Sequence, residues 1–383
     1  MTAELTDRAA FADPARARRL VVKVGSSSLT DEAGRLDVER LRALTDVLAA
    51  RVAAGGQVIL VSSGAIASAL TVLGLSSRPK DLATAQAAAS VGQGLLMAHY
   101  TRAFAAHRRT VGQVLLTVED VIRRSHYRNA QRALVRLLAL GVIPIVNEND
   151  AVATHEIRFG DNDRLAALVT HLVRADGLLL LSDVDALYDG PPSRPGSSRV
   201  ARVDSPADLE GIELTAKGSH VGTGGMVTKV EAAQIAVGSG VPVILTSAAN
   251  AAAALAGEDV GTWFSATGRR IQTRRLWLAH AAHTSGRLII DDGAVRALTV
   301  GKKSLLAAGL IGVEGTFEAG DPVEIAAADG TVVARGLVAY SADELPERMG
   351  ATSVQLRERF GDGNAREVVH RDDLVQVRPY RGT

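Results

Sequence analysis

Short apolar runs alternate with longer helix-like stretches along most of the chain, and this alternation limits the fold more than any other feature. The apolar runs are continuous, which is typical of strands buried on both faces of a parallel sheet. They predict strands over residues 20–24, 57–61, 110–116, 142–146, 177–181 and 241–245. The stretches between them predict helices over residues 38–54, 82–107, 126–140, 164–174 and 228–237, with Asp37 as the cap of the first. The sequence therefore predicts an α/β fold, a three-layer sandwich of a mainly parallel sheet with helices on both faces.

The pattern changes towards the C-terminus. Residues 271–282 resemble a helix, and β-like runs separated by Asp-Gly and Gly-Asp turns follow at residues 287–290, 313–317, 322–326, 331–336 and 337–340. A chain of 383 residues is long enough for two domains. We expect a main domain over residues 18–270, a connecting helix or linker over 271–284 and a small, mostly β domain over 285–370. The turn-rich residues 191–198 predict a surface loop.

Two lysines lie beside glycine-rich loops. Lys23 interrupts an apolar strand just before Gly25 and three serines, and Lys229 ends the segment Gly-Thr-Gly-Gly-Met-Val-Thr-Lys at the start of a predicted helix. Backbone N–H groups at a helix N-terminus and a lysine ammonium both attract phosphate, although the spacing is not that of a P-loop. Only six of the 43 basic residues are lysines. Either lysine alone is explained as well by an ordinary strand end or helix start, but the pair favours a phosphate site.

Polar side chains follow the predicted strands at their carboxyl ends, where ligands bind in α/β sheets. These loops are residues 25–28, 62–64, 147–150 and 182–183. A further cluster, Gly-Asp-Asn-Asp at residues 160–163, precedes a helix and by itself would predict a turn with a cap. Together with the two lysines, the clusters indicate phosphoryl transfer from a nucleotide to a small acid that carries an amino group.

Composition excludes several other classes of function. The net charge of +1 argues against bulk attraction to nucleic acid or to a membrane surface. The chain has no cysteine, so it offers neither a disulfide framework nor a thiolate metal site. The first residues mix acids and arginines and do not resemble a signal peptide, and no apolar run reaches membrane-spanning length. We expect a soluble, cytoplasmic protein.

These motifs, in this order, resemble those of the glutamate 5-kinases, a family with the amino acid kinase fold. The resemblance is carried by residues 22–27, 63–66, 147–152, 160–163 and 222–229. The C-terminal region, with its segments 301–306 and 309–311, resembles the PUA domain that bacterial members of the family carry. The resemblance extends from about residue 18 to about residue 375.

The resemblance implies a role for each matching residue. Lys23 and Lys229 would flank the transferred phosphoryl group, and Asp161 or Asp163 would orient the two lysines; we favour Asp163. Ser63, Asp150 and Asn162 would hold glutamate. The positions matched to ATP are Lys23, Ser182, Asp183, Thr223, Gly224, Gly225, Met226, Val227, Thr228 and Lys229. Mg²⁺ would bridge the β- and γ-phosphates as a companion of ATP, and no protein side chain is assigned to it.

The resemblance also implies the reaction and its setting. ATP would phosphorylate the γ-carboxylate of L-glutamate to L-glutamyl 5-phosphate, the first step of proline biosynthesis, with feedback inhibition by L-proline. The protein would form a homo-oligomer, a dimer or a tetramer, and would pass its labile product to glutamyl phosphate reductase. Ser182 and Ala186 differ from the Thr and Gly that are frequent in the family: the first change keeps the hydroxyl, and the second affects the shape of the loop.

Two alternatives remain open. PUA domains in other proteins bind RNA, but residues 285–383 contain 12 Lys and Arg against 15 Asp and Glu, whereas RNA-binding surfaces are usually basic. The second alternative is another amino-acid kinase, acting on N-acetylglutamate, aspartate or carbamate. The PUA-like region and the two polar clusters argue against it.

Overall fold

The structure, a computed structural model, describes residues 5–117, 120–121, 124–152, 162–192, 194–212, 225–266, 284–301, 303–361 and 366–376. The chain divides into two compact units, Met1–Thr273 and Arg274–Thr383. Each unit has its own sheet and its own hydrophobic core. The helix predicted over residues 271–282 lies outside the described residues.

The sheet of the first unit contains eight strands within the described residues. They are β1 (Arg19–Val24), β2 (Gln57–Ser62), β3 (Val111–Leu116), β4 (Ile143–Glu148), β5 (Gly177–Ser182), β6 (Arg202–Val203), β7 (Val243–Ser247) and β8 (Thr262–Phe264). Their order is β3-β4-β2-β1-β5-β7-β8-β6. The six strands β3, β4, β2, β1, β5 and β7, which are neighbours in this order, are parallel to one another, and β8 pairs antiparallel with β7.

The six strands predicted from apolar runs are confirmed, each within about two residues of its predicted bounds. β6 and β8, which form the far edge of the sheet, were not predicted. Strands of two and three residues are too short to leave a periodic pattern, so their pairing depends on the sheet already formed beside them.

Helices connect these strands. They are α1 (Arg8–Ala12), α2 (Ser26–Leu29), α3 (Val38–Ala53), α4 (Ala65–Ala69), α5 (Leu82–Ala105), α6 (Arg124–Ala139), α7 (Asn162–Leu172), α8 (Met226–Gly238) and α9 (Ala251–Leu255). The predicted cap of α3 is confirmed, because the Asp37 carboxylate accepts hydrogen bonds from the backbone N–H groups of Glu39 and Arg40. In the described part of the chain, no helix is long and apolar enough to span a lipid bilayer.

Helices cover both faces of the sheet. Successive residues of a strand point to opposite faces, so Leu20, Val22 and Val24 of β1 share one face. They lie in one core cluster with buried residues of α3 and α5. Lys23 points to the other face, where its ammonium contacts Asp163 of α7. The predicted three-layer sandwich is therefore confirmed.

The segment before β1 packs into the core of the first unit. Phe11 of α1 is fully buried, lies against Gly177 at the start of β5, and meets Trp263 of β8 edge to face with ring centroids 6.0 Å apart. The guanidinium of Arg51 donates to the backbone carbonyls of Phe11, Ala12 and Ala17. These contacts attach the segment to α3, to the middle of the sheet and to its far edge.

The second unit contains a five-stranded sheet within its described residues. The strands are β9 (Gly286–Ile290), β10 (Leu310–Gly315), β11 (Pro322–Ala327), β12 (Val332–Leu337) and β13 (Leu374–Gln376), in the order β10-β9-β11-β12-β13. Two helices, α10 (Asp292–Thr299) and α11 (Ser353–Phe360), accompany it. The sheet agrees with the predicted mostly β domain, but neither helix was predicted.

One predicted strand of the second unit is wrong. Leu337 is the last residue of β12, and residues 338–340 are not in a strand, because the chain leaves the sheet there and its next N–H groups bond elsewhere. Val338 donates to the Asp321 carbonyl, and Ala339 donates to the Val368 carbonyl. Residues 337–340 are all apolar, which made the segment resemble a strand, yet Val338 and Tyr340 are buried in the core of the unit without belonging to a strand ladder.

We predict that Gly177→Ala destabilises the first unit through Phe11. A methyl group at position 177 would lie 2.3 Å from Cε2 of Phe11, so the substitution should cost about 1–3 kcal/mol of unfolding free energy. Phe11→Ala alone should cost about 3–5 kcal/mol by leaving a cavity. In the double variant the new methyl group has room, so the combined loss should be smaller than the sum of the two. Urea unfolding followed by circular dichroism measures this coupling, and strictly additive losses would contradict it.

Candidate functional site

Two buried lysines share one buried carboxylate on a face of the main sheet. Nζ of Lys23 lies 2.5 Å from Oδ1 of Asp163, and Nζ of Lys229 lies 3.4 Å from Oδ2 of the same residue. The side chain of Asp163 is 1% exposed, and those of Lys23 and Lys229 are 3% and 9% exposed. Charges are seldom buried without such pairing, because leaving water costs each of them several kcal/mol. The sequence clusters of three separate loops thus meet at one point.

The central strand of the sheet positions Lys23. β1 lies between β2 and β5, and Lys23 is in register with Val61 and Leu180. The loop that follows turns back towards the ammonium: a methyl group at Gly25 would lie 3.5 Å from Nζ of Lys23. The lysine is therefore fixed at the carboxyl edge of the sheet, beside the small-residue loop that the sequence singled out.

Two packed helices position the other members. Asp163 is in the first turn of α7, where the positive end of the helix dipole favours a carboxylate. Lys229 follows the N-terminus of α8, which begins after Gly225 with the Thr228 hydroxyl donating to the Gly225 carbonyl. An ion pair joins the two helices, because Arg164 donates to a carboxylate oxygen of Glu231 over 2.5 and 3.2 Å. This ion pair lies close to the lysine cluster, because Arg164 directly follows Asp163 and Glu231 is two residues after Lys229.

A second polar cluster lies at the same edge of the sheet. Nδ2 of Asn162 donates to Oγ of Ser63 over 2.8 Å and to Oδ1 of Asn147 over 2.9 Å. Nδ2 of Asn147 donates in turn to Oε1 of Gln93 over 2.9 Å. Asn162 and Asp163 are consecutive residues, so the first turn of α7 belongs both to this amide cluster and to the lysine cluster.

Close packing of α4 against α5 brings Gln93 to the cluster. Gly64 adopts a left-handed conformation with φ of 105° and starts α4. A methyl group at Gly92 would lie 1.7 Å from the carbonyl oxygen of Ala65, so only glycine allows α5 to approach this closely. The neighbouring Gln93 is then buried against the end of β4.

Tyr100 of α5 supports the loop at Ser63 from the face of the sheet opposite to Lys23. Its hydroxyl lies 2.7 Å from Oγ of Ser62, whose own proton is donated to the Ser63 carbonyl over 2.9 Å. Burial raises the pKa of the Tyr100 phenol above its ordinary value of 10.0. The ring therefore stays neutral and keeps its proton as a hydrogen-bond donor.

The remaining predicted residues lie at neighbouring loops. Ser182 ends β5, the strand next to β1, and its hydroxyl donates to Oδ1 of Asp183 over 2.9 Å. Asp150 is half-buried in the turn after β4. Gly225 and the residues up to Lys229 form the start of α8. Thr223, Gly224 and Asp161 lie outside the described residues.

Four residues that the structure places in or beside these clusters were not predicted as site residues. Asn147 was within a recognised polar loop, but nothing set it apart from its neighbours. Gln93, Arg164 and Glu231 lie inside helices, where a polar residue predicts only an exposed face. A search for polar positions on the buried side of a helix could have identified Gln93 alone, because Arg164 and Glu231 are partly exposed. Among the described residues, no group of three or more His, Asp or Glu could hold a metal ion.

Comparisons with known proteins give the same division of the chain. Residues 18–247 match the model of the amino acid kinase family, and residues 286–360 match that of the PUA domain. A solved carbamate kinase from Giardia lamblia bound to AMP-PNP has a similar fold, with a TM-score of 0.50 over 65% of this chain and 99% of that one. At 17% identity, this likeness concerns the fold alone.

Curated relatives are similar over nearly the whole chain. A glutamate 5-kinase from Streptomyces coelicolor is 62% identical, covering 95% of this chain and 97% of the relative. Glutamate 5-kinases from Streptomyces avermitilis and Thermobifida fusca are 61% and 60% identical, covering 95% and 96% of this chain and 98% and 95% of the relatives. Both matched regions therefore lie in one chain in these relatives as well.

We predict opposite effects for two glycine substitutions in α5. Gly92→Ala should destabilise the first unit by about 1–3 kcal/mol or more, because its methyl group would push α5 away from α4. Gly94→Ala is the matched control: its methyl group would meet nothing within 4 Å, so it should raise the unfolding free energy by up to about 1 kcal/mol. Thermal and urea unfolding test both, and equal effects would contradict the close approach at Gly92.

Proposed function

The chain belongs to the amino acid kinase family, within its glutamate 5-kinase group, and on this premise we propose that it phosphorylates the γ-carboxylate of L-glutamate with ATP. The product would be L-glutamyl 5-phosphate, and the other product ADP. The observation that carries the proposal is the pair of buried lysines held by Asp163. Relatives of 60–62% identity that bear the name glutamate 5-kinase support this choice of acceptor.

The chemistry requires two anions to approach each other. The γ-carboxylate of glutamate is ionised at neutral pH, since its reference pKa is about 4.3, and it must meet a polyanionic phosphate. A proton acceptor is not needed, because the nucleophile is already charged. What the reaction needs is cationic groups fixed in advance around the transferred phosphoryl group. Lys23 and Lys229 supply two such groups, and their shared contact with Asp163 limits the motion of both.

We assign the nucleotide to the side of the site formed by β5 and α8. Lys23, Lys229 and the backbone N–H groups at the start of α8 would contact the phosphates, together with Thr223 and Gly224. Ser182 and Asp183 would lie along the rest of the nucleotide. Mg²⁺ would arrive with ATP, held by phosphate oxygens, and would supply neutralising charge to the β- and γ-phosphates. Mg²⁺ held by phosphate oxygens alone agrees with the described residues, because both carboxylate oxygens of Asp163 already contact ammonium groups.

We assign the acceptor to the amide cluster. Ser63, Asp150 and Asn162 would hold L-glutamate with its γ-carboxylate towards Lys23 and Lys229. This assignment is supported by the short distances within the cluster and to the lysines: Asn162 donates a hydrogen bond to Ser63 and directly precedes Asp163 in the chain. We further propose inhibition by L-proline at this acceptor site, a homo-oligomeric state, and transfer of the labile acyl phosphate to glutamyl phosphate reductase.

A hydroxamate assay tests the proposal. The purified protein is incubated with Mg-ATP, L-glutamate and hydroxylamine, which traps an acyl phosphate as glutamyl hydroxamate. We expect product that depends on both glutamate and ATP and that decreases when L-proline is added. Turnover of aspartate, N-acetylglutamate or carbamate instead would overturn the assignment of the substrate. Absence of turnover, together with tight binding of RNA, would favour a binding protein.

We predict that Lys23→Ala and Lys229→Ala each lower kcat by roughly 10²–10³, by analogy with the loss of one oxyanion-hole donor. The KM for glutamate should change much less, because the lysines act mainly on charge that develops in the transition state. Lys80→Ala is the control, since Lys80 is an exposed lysine of the same unit. Steady-state kinetics with glutamate and ATP decide the question, and a near-normal kcat in both variants would reject these roles.

We predict that Asp163→Asn impairs both stability and turnover. The amide has nearly the same shape but leaves two buried ammonium groups without their shared carboxylate, and breaking a buried ion pair costs about 3–5 kcal/mol. Asp46→Asn is the control, because the Asp46 side chain is 62% exposed and its pair with His107 should contribute about 1 kcal/mol or less. Urea unfolding and kcat are measured for both variants. An Asp163→Asn protein as stable and active as the wild type would contradict the bridging role.

A further inference from the structure

We propose that Gln93 is a positioning residue: together with the backbone N–H of Glu148 it holds the amide of Asn147, and this orientation decides which atoms of the amide cluster face an amino-acid substrate. This inference rests on the proposed function, because it concerns how the acceptor is held. Gln93 belongs to none of the loops that the sequence marks as functional. It reaches the cluster from the middle of α5, 54 residues before its hydrogen-bond partner Asn147.

Two partners hold the amide of Asn147 in one orientation. The backbone N–H of Glu148 can only donate, so Oδ1 of Asn147 faces it and also accepts from Nδ2 of Asn162. On the other side, Oε1 of Gln93 accepts from Nδ2 of Asn147. An asparagine amide can be rotated by half a turn with little change of shape, so these hydrogen bonds hold its orientation.

The same order continues to Ser63. Because Nδ2 of Asn162 is directed at Asn147 and Ser63, its Oδ1 is left on the opposite side as a buried acceptor without a hydrogen-bond partner among the described residues. The hydroxyl of Ser63 accepts from Asn162, so its own proton is available for donation. The cluster thus offers one acceptor, which suits an ammonium group, and one donor, which suits a carboxylate. An α-amino acid carries both groups on one carbon.

Gln93 is costly as a structural residue. It is 8% exposed, and its Nε2 is buried without a hydrogen-bond partner in the described part of the chain. Leaving a buried donor unpaired costs about 1–3 kcal/mol, whereas an apolar side chain of the same shape has no such donor. Methionine at this position would remove that donor but would leave Nδ2 of Asn147 without its acceptor. The geometry therefore points to the accepting oxygen as the reason for a glutamine.

The test is Gln93→Met, which keeps the length of the side chain and removes the acceptor. Asn147 is then held only at its Oδ1, and we expect the KM for L-glutamate to rise about tenfold, since loss of one buried hydrogen-bond partner corresponds to about one decade in affinity. The KM for ATP should stay within about twofold, because the network does not contact the lysine cluster through Gln93. Gln113→Met is the matched control, with an exposed glutamine on the edge strand β3.

A double-mutant cycle separates positioning from packing. If Gln93 acts through Asn147, Gln93→Met should raise the KM for glutamate in the wild-type background and leave it unchanged in an Asn147→Ala background. Gln93→Glu keeps an oxygen that can accept from Asn147 and should stay closer to the wild type than Gln93→Met. It also serves as the second variant if the methionine protein does not fold. If the KM for glutamate rises tenfold or more in Gln93→Glu as well, the accepting oxygen at position 93 does not have the proposed role.

The remaining outcomes also decide the matter. An unchanged KM for glutamate in folded Gln93→Met would overturn the inference. A general defect would also overturn it, that is, a lower melting temperature and a lower kcat together with similar rises in the KM for glutamate and the KM for ATP. If the wild type turns over a different amino acid, the proposed substrate fails, and the same variants measured with that amino acid still test the role of Gln93. If the wild type turns over no amino acid, both the proposed function and this inference are rejected.

Discussion

The contact of two ammonium groups with the Asp163 carboxylate is the interaction on which the site depends. Lys23 is on the central strand of a parallel sheet, where an unpaired charge would be very costly, and Lys229 is on a helix whose other contacts are largely apolar. Asp163 offers one oxygen to each. The contact therefore joins β1, α7 and α8, and the Arg164–Glu231 ion pair holds the two helices together beside it.

The first turn of α7 links the two halves of the site. Asn162 faces Ser63 and Asn147, and Asp163 faces the lysines, so one helical turn sets the separation of the amide cluster from the lysine cluster. In the phosphoryl transfer proposed above, this separation would set the distance between the acceptor carboxylate and the transferred phosphoryl group. Gly92 and Gln93 of α5 complete the arrangement from the opposite face, through the close contact of α5 with Ala65.

Local signals predicted the framework because they are strong where strands are fully buried. The six apolar runs of the main sheet and the cap at Asp37 follow from patterns within a few residues. The second unit was harder, since the Asp-Gly step at residues 292–293 was interpreted as a turn. In the structure the preceding Asp291 accepts from the N–H of Ala294 and starts α10. A short polar step can begin a helix or a turn, and the choice depends on what the following residues pack against.

The sequence by itself determined the layered α/β architecture, the position of Lys23 and Lys229 beside glycine-rich loops, and the polar loops at the carboxyl ends of the strands. These properties depend on residue type and local spacing, which a parallel sheet translates directly into places in space. Only the tertiary structure decided that Asp163 contacts both lysines and that Gln93 of α5 accepts a hydrogen bond from Asn147. The reason is distance along the chain: Asn162 and Ser63 are 99 residues apart, and such contacts exist only once the helices have packed on the sheet.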